Sequence, residues 1–130
     1  MSIKKLEKLI QKKPPFPKSI NNNNPEFKEY KMETGVCFAW NLLWIPKVSV
    51  TKWFSSKGTK FSRHTHREQE TIIIYEGIME ITYNTNGSKT LMKGDSCFNL
   101  PDEPHSSYFP EDTKYITIMV PGCKDYPGAY

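Results

Sequence analysis

The chain has 130 residues, 37% of them hydrophobic and 25% charged, with a net charge of +4. That length carries one domain with its own core and not two. No segment approaches the run of about 18 apolar residues of a membrane helix, and the three cysteines, Cys37, Cys97 and Cys123, are too few and too scattered for a disulfide framework or a cysteine zinc site.

Residues 3–13 carry Ile3, Leu6, Leu9 and Ile10 at helical spacing, with Ser2 as a candidate N-cap, so a short helix is expected there. Pro14, Pro15 and Pro17 end it, and four asparagines at 21–24 followed by Pro25 read as a polar linker. The positive charge is concentrated in the same segment, where Lys4, Lys5, Lys8, Lys12, Lys13 and Lys18 meet one acid, Glu7. The remainder is close to neutral and lacks the basic stripe of a nucleic-acid binder, so neither nucleic acid nor a membrane is expected as a partner. The basic start has no apolar stretch or small-residue cleavage site, and a cytoplasmic location is expected. Residues 1–30 are thus assigned to an N-terminal extension and linker, and 31–130 to the folded domain.

From Met32 the texture changes to short β-type segments at 36–45, 48–54, 71–75, 78–83, 89–92, 97–100 and 115–120. Turn residues separate them, among them Pro46, Gly58, Gly77, Gly94-Asp95 and Pro101-Asp102. Asn86-Gly87 between two alternating segments is a strong hairpin signal. Short strands at close spacing, without a convincing helix among them, predict an all-β antiparallel sandwich or barrel. Cys97 lies in an apolar run and reads as a small buried hydrophobe.

The chemistry centres on His64-Thr65-His66. In a strand, residues two apart point to one face at about 6.5–7 Å along the chain. Two imidazoles so placed can converge on one ion at about 2.1 Å from each nitrogen. Glu70 has the same parity, and a bend could bring its carboxylate to the same ion. A lone His-x-His pair is as often a pair of ordinary histidines as a ligand pair. The chain holds only three histidines, however, and the third, His105, follows a turn at the edge of another β-type segment.

The stretch from Gly58 to Gly77 reads Gly58, five residues, His64-x-His66, three residues, Glu70, six residues, Gly77. It resembles the first sequence motif of the cupin superfamily, with every spacing kept. A second motif is partly present. Gly94-Asp95 opens it and His105 closes it at a separation of eleven, which agrees with the family. Its interior differs: Leu100 stands where the family has proline, Asp102 where it usually has glycine, and Phe109 where it often has asparagine. The resemblance covers about residues 35–120, and the 16 residues between Gly77 and Gly94 look like the compact spacing of small bacterial single-domain cupins.

The resemblance implies an antiparallel cupin (jelly-roll) β-barrel of six to eight strands with a site inside one mouth. By position, His64, His66, Glu70 and His105 correspond to the family's metal ligands. Three neutral nitrogens and a carboxylate suit one divalent ion, Fe²⁺ favoured, with Mn²⁺, Zn²⁺, Ni²⁺ or Co²⁺ as alternatives, and leave coordination positions open. The expected function is a metal-dependent enzyme acting on a small polar or organic-acid molecule, with dioxygenase first and lyase or isomerase next. The alternative is a small-molecule-binding or sensor protein in which the metal only holds the ligand. A homodimer is the family-level expectation. Tyr75 and Tyr83 are candidates for a general acid or base. Trp40, Trp44, Trp53 and Phe54 are candidates for pocket, core or interface. Asp102 and Glu103 are expected as solvated turn acids, and Arg63 and Arg67 as exterior residues.

Overall fold

Ten strands and no helix make up the described residues, 26–32, 34–83 and 87–123 of a computed structural model. They are β1 (Glu26–Met32), β2 (Gly35–Ile45), β3 (Val48–Ser55), β4 (Lys60–His64), β5 (Gln69–Glu76), β6 (Ile78–Tyr83), β7 (Ser88–Met92), β8 (Ser96–Asn99), β9 (His105–Tyr108) and β10 (Thr113–Val120). A six-stranded sheet has the order β1-β2-β3-β10-β5-β8, and a four-stranded sheet the order β4-β9-β6-β7. Every pairing is antiparallel. The expected all-β antiparallel jelly-roll is present as two sheets sharing one core, with no ladder closing one onto the other among the described residues. Nor does any helix among them have the length and apolarity to cross a membrane. The helix expected at 3–13 lies outside the described residues.

Seven strands coincide with segments read from alternation. β1 does not: residues 26–30 were assigned to the linker, yet they pair in register with β2, Glu26 opposite Asn41 through Met32 opposite Gly35. Its sequence, EFKEYKM, is rich in charge and poor in β-formers, which hides a strand from propensity. It is an edge strand, a place where charged sequence is common.

Burial alternates strictly along β5 and β10, so one side chain in two enters the core. Ile72, Ile74, Met79, Ile81, Phe61, Phe109, Trp53 and Tyr115 fill it from both sheets. Trp53 and Tyr115, opposite each other on β3 and β10, stack with ring centroids 6.0 Å apart. Their polar ends are satisfied inside: Trp53 Nε1 donates to Thr117 Oγ1 over 2.9 Å, and the Tyr115 and Ser55 hydroxyls bond at 2.8 Å. Burying aromatic area without orphaned donors is what lets these rings serve as core.

The connections explain one glycine of the sequence motif, Gly77, and the glycine of the hairpin signal, Gly87. Gly77 joins β5 to β6 at φ 96°, and a Cβ there would lie 2.5 Å from the Asp112 carbonyl oxygen. Only glycine meets both demands. Gly87 ends the β6–β7 hairpin at φ 72°, and the Tyr83 N–H donates to its carbonyl over 2.7 Å. The hairpin is thus present, with β6 and β7 paired and Tyr83 bonded to Gly87, while Asn86 lies outside the described residues.

Candidate metal centre

The four-stranded sheet and the loop after β4 bring the three histidines together. His64 is the last residue of β4 and His105 the first of β9, directly opposed in the ladder. The register shifts between Phe61 and His64, an irregularity of the kind that re-aims side chains beside functional sites. His66 is not on a strand with His64. The expectation of one strand carrying both fails, because β4 stops at His64 and His66 sits in the loop before β5. That loop supplies the bend needed to bring Glu70, the second residue of β5, back to the same place.

The ring nitrogens of His64, His66 and His105 that could act as ligands all lie within 4.8 Å of one another. Two nitrogens each about 2.1 Å from one ion lie at most about 4.2 Å apart, so the cluster is a small side-chain adjustment from ligation. Glu70 adjoins two of the three. Its Oε1 is 3.5 Å from His66 Nε2 and 3.7 Å from His105 Nε2. The carboxylate is 1% exposed.

All three imidazoles are held by the same device. His64 Nδ1 bonds the Ser62 carbonyl, His66 Nδ1 the Glu68 carbonyl at 2.8 Å, and His105 Nδ1 the Glu103 carbonyl at 2.8 Å. A carbonyl oxygen only accepts, so Nδ1 carries the proton and a neutral ring presents a lone pair at Nε2. His105 Nε2 and Glu70 Oε2 are buried with no hydrogen-bond partner. Lone pairs and a carboxylate turned toward one another repel unless a cation lies among them, and this donor set suits a divalent ion. The residues fit the metal that the sequence motif implies.

Electrostatics are consistent with a fully charged acid. Burial alone would raise the Glu70 pKa, but His66 and the Asn99 amide outweigh it and hold the carboxyl below its usual range. Burial works against a charge on His66 too, and there the Glu70 carboxylate wins and lifts the imidazole above its usual value. At His64 burial prevails and the pKa is lowered.

The altered second motif turns out to be a defined turn. Glu103 N–H donates to the Leu100 carbonyl over 3.2 Å, with Pro101 and Asp102 between them and Asp102 at φ 62°. Proline second and positive φ third is the pattern of a type II turn, whose third position favours glycine. Asp102 accepts that conformation, as short polar residues do more readily than others. Its N–H donates to the His66 carbonyl over 2.8 Å, and Glu103 Oε1 accepts from Leu100 N–H over 3.1 Å. Asp102 is an exposed turn acid, as expected, and it is its backbone N–H that ties the loop of His66 to the turn preceding His105, while the half-buried Glu103 carboxylate closes its own turn.

The other candidates separate. Tyr75 lies on the face of β5 opposite Glu70 and Ile72, with Lys52 Nζ 5.0 Å from its ring centre, and so is not brought to the histidines. Tyr83 opposes His105 in the β6–β9 ladder and faces inward. Trp53 belongs to the main core, Trp40 and Phe54 to a second cluster with Phe38, and Trp44 is exposed. Arg63 and Arg67 are exposed, and Cys97 is buried as expected.

One residue escaped sequence reasoning. Asn99, wholly buried on β8, donates from Nδ2 to Glu70 Oε1 over 2.8 Å and accepts from the Tyr83 hydroxyl over 2.6 Å. The available signal was an amide sharing inward parity with Cys97 in the strand SCFN.

No family model matches the chain, and no curated protein matches it either. Solved structures do. An RmlC-like cupin from Shewanella frigidimarina is 22% identical at a TM-score of 0.68, over 78% of this chain and 89% of that one. KdgF from Halomonas is 17% identical at 0.66, over 75% and 91%. A predicted oxalate decarboxylase from Thermotoga maritima is 20% identical at 0.65, over 74% and 92%. At such identities the likeness speaks for architecture: this chain has the fold of the small single-domain cupins.

Proposed function

We propose that the protein is a metal-dependent enzyme that holds one divalent ion through His64, His66, Glu70 and His105 and acts on a small polar or organic-acid substrate. The carrying observation is the trio of imidazoles fixed by Nδ1–carbonyl bonds, converging beside a buried carboxylate. Such orientation of ligands through their outer nitrogens is what raises a histidine cluster above coincidence. When bound, the ion supplies Lewis acidity toward a substrate oxygen or, as Fe²⁺, oxidative chemistry. The chain's own share is to keep Glu70 ionised, to hold the three rings in one tautomer, and to leave positions on the ion uncovered. Fe²⁺ is our first assignment and dioxygenase our first reaction class, with lyase or isomerase next. The solved structures of similar fold include a predicted oxalate decarboxylase, which supports chemistry on a small organic acid.

Elemental analysis of the purified protein tests the centre. About one equivalent of metal is expected, falling sharply in His64→Ala, His66→Ala and His105→Ala while the strand content holds. Less than about a tenth of an equivalent, with no uptake on reconstitution, removes the proposal. Turnover of organic-acid substrates that tracks metal loading separates an enzyme from a binding protein.

A further inference from the structure

Glu70 belongs to the six-stranded sheet, His64 and His105 to the four-stranded one. The centre therefore exists only if the two sheets keep a fixed separation at this end. Within each sheet the ligand has a cross-strand neighbour that reaches toward the other. Asn99 opposes Glu70 in the β5–β8 ladder, and Tyr83 opposes His105 in the β6–β9 ladder. The two neighbours bond to each other, Tyr83 hydroxyl to Asn99 Oδ1 over 2.6 Å, and Asn99 passes the connection on to Glu70 Oε1 over 2.8 Å.

We infer that Tyr83 and Asn99 form a strut between the sheets that positions the Glu70 carboxylate against the three histidines. They are positioning residues, acting through Glu70. The inference rests on the metal centre proposed above.

The direction of the chain follows from its members. A carboxylate can only accept, so the amide must turn its NH₂ to Glu70, which leaves its oxygen for the tyrosine proton. The reverse orientation would set amide oxygen against carboxylate and hydroxyl proton against NH₂. Asparagine alone among short side chains offers a donor and an acceptor on one rigid plane, which is why a buried amide stands here among apolar neighbours. With the Tyr83 hydroxyl committed to Asn99 and Cys97 Sγ at 3.7 Å beyond it, this tyrosine is not assigned as the general acid or base. Removing an outer-shell partner of a metal ligand typically lowers metal affinity about 10- to 100-fold.

The test is a titration of Co²⁺ into the metal-stripped full-length protein and into Asn99→Leu and Tyr83→Phe, following the visible Co²⁺ bands. Wild type is expected to take up one equivalent. Asn99→Leu should bind about 10- to 100-fold more weakly. Tyr83→Phe, which keeps the ring and the amide, should lose less affinity but shift the band positions as Glu70 settles differently on the ion. Melting of the metal-free proteins is recorded alongside. Wild-type affinity and wild-type bands in both variants would overturn the strut, whatever the melting temperatures, since a purely structural bond would lower stability and leave the ion's spectrum untouched. Should Asn99→Leu not fold, Tyr83→Phe decides alone. Failure of the wild-type protein to bind Co²⁺ would instead remove the metal centre itself.

Discussion

Asn99 and Glu70 face each other across the β5–β8 ladder, and the amide donates to a carboxylate that water scarcely reaches. A buried carboxylate with incomplete partners costs several kcal/mol, and one amide offsets only part of that. The remainder falls to the histidines and to whatever cation they hold.

Chelation is accordingly expected to destabilise the fold. An ion bound only by the folded state at a hundred times its dissociation constant contributes about 2.7 kcal/mol. For a domain of this size that corresponds to a Tm shift on the order of 10 °C. Differential scanning fluorimetry with and without a chelator, followed by back-addition of metal, measures it. Superimposable melting curves would count against a metal in this cluster.

Asp102 at φ 62° is a second point of sensitivity, since its backbone N–H anchors the His66 loop. Asp102→Val puts a β-branched side chain into the left-handed region, at a cost of about 1–2 kcal/mol. Asp102→Gly, which adopts that φ freely, should stay within about 0.5 kcal/mol of wild type. Urea denaturation of the two variants compares them directly. Equal stability would show that the turn carries no such constraint.

Thiol chemistry gives an independent check on the core. Burial pushes the Cys37 thiol up to about 12, and its Sγ lies 3.2 Å from Ser55 Oγ inside the sheet. Since the thiolate is the reactive form, Cys37 should label with a disulfide reagent only on unfolding, while the half-buried Cys123 reacts in the native protein. Mass spectrometry of the labelled native protein locates the modified residue. Modification of Cys37 as fast as Cys123 would contradict its place in the core.

Strands with strict alternation were legible from sequence because side-chain parity is a local property: β5, β6 and β10 announce which residues enter the core. β1 was not, since its pairing with β2 overrides a charged composition that by itself forms nothing. The His-x-His pair was legible as chemistry but misplaced as geometry. No spacing rule distinguishes two residues on one strand from a strand end and the loop beyond it.

Sequence alone determined that His64, His66 and Glu70 lie within seven positions, flanked by glycines at Gly58 and Gly77 whose turns require positive φ. Short-range spacing and backbone sterics suffice for that. Only the tertiary structure decided that Asp102 takes a glycine's conformation in the turn before His105, and that Asn99 and Tyr83 join Glu70 to the opposite sheet. Those contacts depend on the register of β5 with β8 and of β6 with β9, and register is set by the packing of the whole sandwich.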